Sequence, residues 1–281
     1  MTDAARASAT TPTAPGALPQ SRGSSLVGAI LRRIRVFGML ILLAGLWQFV
    51  STRVLDASTA TLLPPPSAIV IGAWELIETG ELFRHLRDSV KRELVAFIFA
   101  ISAIPLGIAM GWSRVINEQF DVLIEVLRPI PPLAWIPLSI LWFGIGDTQN
   151  QFIIFLGMFF PILLNTITGV KNIEPNLVHA AQCLGASELK ILWRVVLRAA
   201  MPSIVTGIRV GLGVGWMALV AAELVGANSG LGFLINDART VLRTDYVIVG
   251  MMTIGVVGLF IDRGVRALGR WAMPWSRAMA Q

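Results

Sequence analysis

The sequence predicts an all-α polytopic membrane protein with six transmembrane helices. Of its 281 residues, 55% are hydrophobic and only 14% are charged, whereas soluble proteins average roughly 45–50% and 25%. The charged residues flank long apolar runs, and about 20 apolar residues in a helix suffice to cross the ~30 Å hydrocarbon core of a bilayer. Membrane lipid is therefore expected around six spans, at residues 36–52, 94–112, 122–146, 151–170, 203–225 and 246–261.

The N-terminal region, residues 1–30, is rich in Ala, Thr, Ser and Pro and has no apolar periodicity. Such a segment cannot bury enough apolar surface to fold alone, so it is predicted to be a disordered cytoplasmic tail. Arg32, Arg33 and Arg35 then precede the first apolar run, as the basic region of a signal peptide would. The run has 17 residues and no convincing small-residue cleavage site follows it, which favours a first span.

The segment 31–93 is predicted to contain this first span and an amphipathic stretch on the outer membrane surface. Within it, residues 68–86 carry both signs of charge and have apolar residues at helical spacing. The membrane core is predicted over residues 94–270, and it begins with the second span at 94–112.

The third span begins with a proline-rich stretch that includes Arg128, Pro131 and Trp135. Each proline removes a backbone donor and disfavours helix in the residue before it. Two interpretations remain open. In one, the break lies at membrane depth and faces protein or a water-filled cavity rather than lipid. In the other, residues 129–132 form a cytosolic loop that an ordinary span follows.

The stretch 176–204, between the fourth and fifth spans, is predicted to fold as two short helices around a glycine. Pro175 suits a first helical position because its missing N–H would be unpaired there. Gly185 stands where a helix ends in a left-handed residue, and Ser187 can cap the helix that follows. We call this stretch the elbow, because a helix, a glycine stop and a second helix form a bend that another protein could grip.

The elbow carries a motif with a familiar pattern. A-A-x-x-x-G, nine residues, an aliphatic residue, one residue and Leu together resemble the EAA loop of ABC importer permeases. The matching residues are Ala180, Ala181, Gly185, Val195 and Leu197. The flanking L-G-A-S and M-P-S-I, and the earlier R-P-I-P-P-L-A-W-I-P-L, are similar to the branch that imports nitrate, bicarbonate, taurine and other sulfonates. The family's glutamate is His179 here, and its proline after the leucine is Arg198.

The resemblance implies a type I ABC importer permease of MetI-like architecture in the bacterial inner membrane. Two copies would pair as a homodimer and dock two ATPase subunits, which bind ATP and magnesium, through the loop at about 172–202. A periplasmic or lipid-anchored binding protein would deliver a small anion, such as nitrate, bicarbonate, a sulfonate or an organic acid, for transport by alternating access. The residues expected to couple to the ATPase are His179, Ala180, Ala181, Leu184, Gly185, Ala186 and Ser187.

The fifth span has glycines at a spacing of four. Gly207, Gly211 and Gly215 line one helix face and let another backbone come close. Gly213 adds a pattern that could suggest nucleotide binding. That interpretation needs a strand–turn–helix context, which an apolar span does not supply.

Arg209 and Glu223 are charged residues within the fifth span. They lie 14 residues apart. This spacing is about four whole turns of a helix, so the two side chains share a face, but their separation of about 21 Å along the axis prevents them from pairing. In one interpretation, Arg209 snorkels to the inner surface and Glu223 pairs with Arg239 or Arg243. In the other, both line the translocation pathway. The candidate pathway residues are Arg128, Pro131, Trp135, Asn165, Arg209 and Glu223.

The distribution of positive charge predicts the orientation. Fifteen of the 23 Lys and Arg residues lie in the N-terminal region, the elbow and the other segments of the same side, and seven lie on the opposite side. Because positive loops stay in the cytoplasm, both termini, including the tail 271–281, and the elbow are predicted to be cytoplasmic.

Several other functions are disfavoured. No P-loop, G-x-S-x-G or H-E-x-x-H pattern occurs, so this chain is expected to be neither an ATPase nor another enzyme and to hold no cofactor of its own. Cys183 is the single cysteine, and with His179 alone it makes no metal site. The net charge of +6 flanks apolar runs, so nucleic acid is not an expected partner. A self-powered secondary transporter or channel remains the alternative, with Arg209 and Glu223 as its coupling residues.

Overall fold

The computed structural model describes residues 38–39, 41–56 and 61–273, and all regular elements in these ranges are helical. The predicted N-terminal tail, the basic residues before the first span, the start of that span and the residues after 273 lie outside the described part. The helices are α1 (Ile41–Val54), α2 (Pro66–Glu78), α3 (Glu81–Ala100), α4 (Ala103–Trp112), α5 (Arg114–Leu127), α6 (Ile136–Phe143), α7 (Asp147–Lys171), α8 (Pro175–Cys183), α9 (Glu188–Ile191), α10 (Leu197–Gly226), α11 (Leu231–Thr240) and α12 (Thr244–Ala272).

Six apolar helical segments correspond to the six predicted spans, and the all-α prediction is confirmed. Among the described residues, four stretches are long and apolar enough to cross a membrane. Helix α5 and the segment Pro132–Phe143 form a bent fifth, and α1 is a shorter apolar helix. The four stretches are Glu81–Trp112, Asp147–Lys171, Glu188–Gly226 and Thr244–Ala272.

The predicted amphipathic stretch 68–86 forms parts of two helices rather than one. The amphipathic helix α2 ends at Glu78, and Gly80 takes a left-handed φ of 74°. The next helix begins at Glu81 and belongs to a 32-residue helical stretch that also contains the predicted second span. The charges before residue 94 suggested an exposed surface, but Arg92 and Glu93 are each only 3% exposed.

The helices that contain the fifth and sixth spans extend beyond the predicted bounds of those spans. A turn of wider π-helix at Leu192–Val196 joins α9 to α10, so a 39-residue helical stretch runs from Glu188 through Pro202 to Gly226. Helix α12 continues to Ala272 rather than ending at Ile261, because no proline interrupts it. The last turns of this helix are basic instead of apolar, so hydropathy alone ended the predicted span before the helix itself ends.

The proline-rich stretch produces a sharp bend. Helix α5 ends at Leu127, a 3-10 turn forms at Pro132–Trp135, and α5 and the helical segment after the bend meet at 82°. The segment Pro132–Phe143 rises only about 18–20 Å, so it is too short to be the ordinary span of the second interpretation. The intervening residues 128–131 are exposed in the single chain.

The centre of the protein is the packing of α7 against α10. The buried side chains of Ile154, Met158, Ile162 and Leu163 have no exposed surface. The glycines of α10 make the close approach possible, since a β-carbon on any of three of them would meet α7 at 2.5–2.9 Å. The three are Gly207 against Asn165, Gly211 against Ile162 and Gly215 against Met158.

Candidate functional site

The elbow begins with a helix that ends in a Schellman motif. Helix α8 starts at Pro175, as predicted, and stops where Gly185 adopts a φ of 75°. The Gly185 N–H donates to the carbonyl of Gln182 at 2.9 Å, and the Ala186 N–H donates to the carbonyl of Ala181 at 3.1 Å. These two bonds satisfy carbonyls that would otherwise be unpaired, so the bend is a fixed structure.

The second half of the elbow differs from the prediction. Ser187 has the extended backbone of a cap residue, but its side chain makes no capping hydrogen bond. Helix α9 has only four residues and leads through the π turn into α10. The elbow is therefore one short helix packed against the base of a long one.

The two faces of the elbow have different surroundings. Val178, Ala181 and Ala186 pack against a buried apolar cluster that includes Ile191 and Val196. The opposite face is exposed and carries five of the predicted coupling residues and Cys183. The exposed residues are His179, Ala180, Cys183, Leu184, Gly185 and Ser187.

Leu184 is the most conspicuous side chain of this exposed face. It is 87% exposed at the fixed end of α8, while Leu177 in the same helix is 50% exposed. His179 and Arg198, the two departures from the family pattern, make no hydrogen bond or ion pair with any residue that the structure describes. The elbow thus presents apolar and small residues on a rigid support, which is a surface that a partner can cover.

At the other end of α10, Glu223 lies at the centre of a buried polar network. Its side chain is 1% exposed. The carboxylate accepts hydrogen bonds from Ser89 Oγ at 2.8 Å, Arg92 Nη1 at 2.7 Å and the Gly232 N–H at 2.9 Å. We call this set, completed by Asp147, the Arg92–Glu223 network.

The network joins four elements. Arg92 on α3 also donates to Asp147 Oδ1 at 2.8 Å, at the start of α7, and to the Ser229 carbonyl at 2.6 Å. A β-carbon on Gly230 would overlap the Glu223 carboxylate, so the loop before α11 closes directly over it. The carboxylate therefore stands at the N-terminus of α11, where free N–H groups favour an anion.

The expected pairing of Glu223 with Arg239 or Arg243 is wrong. Arg239 donates to Asn236, and Arg243 pairs with Glu75 at 2.7 Å and with Asp245. The Arg243 bond, with one from the Tyr246 hydroxyl, lowers the pKa of the Glu75 carboxyl below its ordinary value. These exposed contacts tie α2 to the start of α12.

Sequence reasoning missed the α3 side of the network. His85, Ser89 and Arg92 stand at i, i+4 and i+7, and all three side chains are buried. The Gly230 N–H donates to His85 Nδ1 at 3.0 Å and the Leu231 N–H to Ser89 Oγ at 2.8 Å. The helical spacing of these three polar residues could have indicated a buried polar face, but only if the helix of the second span had been predicted to include them.

Glu93 is a second buried acid next to this network. It is 3% exposed, and neither carboxylate oxygen has a hydrogen-bond partner among the described residues. A β-carbon on Gly215 would lie 3.3 Å from Glu93 Oε1, so the side chain faces α10.

The structure does not bring the six predicted pathway residues together within one chain. Arg128 and Pro131 lie exposed at the bend, where Trp135 packs edge-on against Phe152. The other three lie along α7 and α10. Asn165 donates to the Pro161 carbonyl, Arg209 pairs with Asp262 at 2.7 Å, and Glu223 is enclosed by its network.

Among the described residues, no group of three or more His, Cys, Asp or Glu side chains could hold a metal ion.

Comparison with known proteins agrees with this arrangement. The chain is 50% identical over 206 residues to an ABC transporter permease protein of Methanocaldococcus jannaschii, covering 73% of this chain and 77% of that protein. It is 41% identical over 244 residues to the taurine transport system permease protein TauC of Escherichia coli, covering 85% and 88%. A chain of the MetNI methionine ABC transporter, solved in inward-facing conformations, has the same fold. The TM-score is 0.53 at 19% identity, and the match covers 73% of this chain and 97% of that one.

Residues 103–273 match the family described as binding-protein-dependent transport system inner membrane component. The protein belongs to this family of ABC transporter permeases, which confirms the resemblance seen in the elbow.

Proposed function

We propose that this permease subunit imports a small anion of the sulfonate class and is driven by an ATPase that docks on the elbow. The observation that carries the proposal is the exposed face of the elbow. Leu184 is 87% exposed on a helix end that the two backbone bonds of the Schellman motif hold in place. An exposed leucine on a fixed backbone between two spans is apolar surface that a docked partner would remove from water.

The packing of the elbow would let it transmit a displacement to α10. Its inner face packs on Ile191 and Val196, at the base of the helical stretch that continues into α10. A displacement of the elbow therefore moves α10, and α10 packs along α7 through its glycines. The ATPase would pull on the elbow and rock these two helices between two states, as alternating access requires.

The substrate class is inferred from similarity. The permease of the taurine transport system is 41% identical over most of this chain, and taurine carries a sulfonate. Other small anions of the related branch, including bicarbonate, nitrate and organic acids, are the competing substrates. Much of the selection would belong to the external binding protein that delivers the substrate.

The complete transporter would contain two copies of this chain and two ATPase subunits, which bind ATP and magnesium. The bias of positive charge supports a cytoplasmic position for the elbow and both termini. The Arg92–Glu223 network would then lie at the outer end, where it holds α3, α7, α10 and the loop before α11 together.

The alternative is a self-powered transporter or channel. It requires ionisable groups that change partners within the membrane. Arg209 and Glu223 already occupy ion pairs, with Asp262 and Arg92. Glu93, buried and without a described partner, is the observation that keeps this alternative worth testing.

The docking role is tested with Leu184→Asp and the shape-conserving control Leu184→Met. The charged side chain cannot enter an apolar pocket, so Leu184→Asp should lose both copurification of the ATPase and stimulation of ATP hydrolysis by loaded binding protein. Leu184→Met should keep both. Normal copurification and stimulation in Leu184→Asp would show that the ATPase does not dock on this face.

A further inference from the structure

A basic pocket lies between α10 and α12, at the end of α10 that faces the elbow. Its volume is about 960 Å³. Four arginines and one acidic residue contribute to its lining. They are Arg209, Arg263, Arg266, Arg270 and Asp262.

The pocket carries more positive charge than its one acidic residue neutralises. Asp262 is already paired on both oxygens, with Arg209 at 2.7 Å and with Arg266. Arg263 and Arg270 make no hydrogen bond or ion pair with any residue that the structure describes. Guanidinium groups match the oxygens of phosphate in a two-pronged geometry, so the surplus charge suits a phosphate-bearing anion.

An apolar groove adjoins this pocket and shares Val205, Val265 and Gly269 with it. The groove has a volume of about 300 Å³, and all its lining residues are apolar. The residues that belong to the groove alone are Phe97, Ile208, Leu212, Leu268, Trp271 and Ala272.

The groove opens to the outside of the helix bundle. Leu268 is 65% exposed and Trp271 is 82% exposed. Only 11% of the apolar window of α12 is buried within the chain. Arginines and a tryptophan at the end of an apolar helix are typical of the membrane–water interface.

We propose that the pocket binds the headgroup of an anionic phospholipid, with one acyl chain along the adjoining groove. Arg263 and Arg270 bind the phosphate, while Arg209 and Arg266 hold Asp262 away from it. A free anion would use the charge but leave the apolar groove empty, whereas a phospholipid fits both parts. Basic pockets between membrane helices are recognised sites for such headgroups.

The test compares lipids retained by the purified transporter. Native mass spectrometry would follow phosphatidylglycerol and phosphatidylcholine on the wild-type protein and on the double variant Arg263→Gln/Arg270→Gln. The matched control is Arg53→Gln/Arg239→Gln, which removes the same charge at the opposite end. Neither target arginine has a described partner, so the double variant is expected to fold.

Phosphatidylglycerol should be retained by the wild type and the control, and its affinity for the double variant should fall about thirty-fold, the effect of two interfacial arginines. Equal retention of both lipids by the wild type, or equal retention of phosphatidylglycerol by the double variant and the control, would overturn the proposal.

A second arm separates a lipid from a free anion. Leu268→Asn places a polar group in the groove and should weaken binding of phosphatidylglycerol without changing binding of inorganic phosphate. If Leu268→Asn retains phosphatidylglycerol normally and millimolar phosphate displaces it, the pocket is a site for a free anion and the lipid proposal fails.

Discussion

Replacing Glu223 with Gln removes the negative charge from the centre of the Arg92–Glu223 network while keeping the size of the side chain. The carboxylate accepts bonds from Ser89, Arg92 and the Gly232 N–H. An amide has only one acceptor oxygen, and its NH₂ group would face one of these donors. The variant therefore loses an ion pair and places two donors together in a buried site.

The size of the effect follows from burial. Removing one partner of a buried ion pair typically destabilises a protein by about 3–5 kcal/mol. The lower end applies here, because Arg92 keeps Asp147 at 2.7 Å. A loss of about 3 kcal/mol lowers the unfolding midpoint by about 6–12 °C, at about 2–4 °C for each kcal/mol.

The same change should alter function. The network joins α3, α7, α10 and the loop before α11, so we expect it to stabilise the conformation in which these elements stay together. A difference of about 1 kcal/mol between two states changes their ratio roughly five-fold. The Glu223→Gln transporter should therefore hydrolyse ATP several times faster than wild type when no binding protein is present.

Thermal unfolding in detergent and basal ATP hydrolysis in the reconstituted complex measure the two effects. Glu118→Gln is the control, because Glu118 pairs with Arg114 while both side chains are largely exposed, and exposed pairs contribute little. If Glu223→Gln matches this control in both measurements, the network neither stabilises the fold nor favours the conformation in which its elements stay together.

Three further predictions concern α10 and the elbow. Gly207→Ala should destabilise the protein, because its β-carbon would lie 2.8 Å from the Asn165 β-carbon, whereas Gly213→Ala has open space and should not; equal unfolding midpoints would refute the close packing. Gly185→Leu should abolish stimulation of the ATPase by binding protein, since a β-carbon in left-handed backbone costs about 1–2 kcal/mol and the larger side chain would also obstruct docking on the elbow. Gly185→Asn should retain stimulation, and equal stimulation in the two variants would make the glycine a local turn residue only. A membrane-impermeant thiol reagent should label Cys183 only after the inner face is opened, and labelling of intact spheroplasts would reverse the orientation.

Local signals predicted the parts of the fold that depend on local physics. Gly185 ends α8 in left-handed backbone as expected, because glycine has no β-carbon and adopts a positive φ without strain. The apolar runs located the spans for the same reason, since membrane crossing depends on length and apolar content. Ser187 shows the limit of this reasoning, because its backbone took the cap conformation while its side chain did not bind.

The buried network could not be predicted in the same way. Arg92 and Glu223 lie 131 residues apart in the sequence, and their pairing depends on how three helices meet. Arg92 and Glu93 also carry charge, so hydropathy placed them outside the membrane. The pocket around Asp262 was missed for a similar reason, because Arg209 was considered without α12, whose helix continues past its apolar part.

The measurement that tests the central claim most directly is taurine uptake by purified permease in liposomes. The permease would be reconstituted with and without its ATPase and binding protein, and each preparation would be given ATP or an imposed ion gradient. We expect uptake only in the complete complex with ATP on the side of the elbow, and loss of that uptake in Leu184→Asp. Uptake by the permease alone, driven by the ion gradient, would contradict an ATP-driven importer coupled through the elbow.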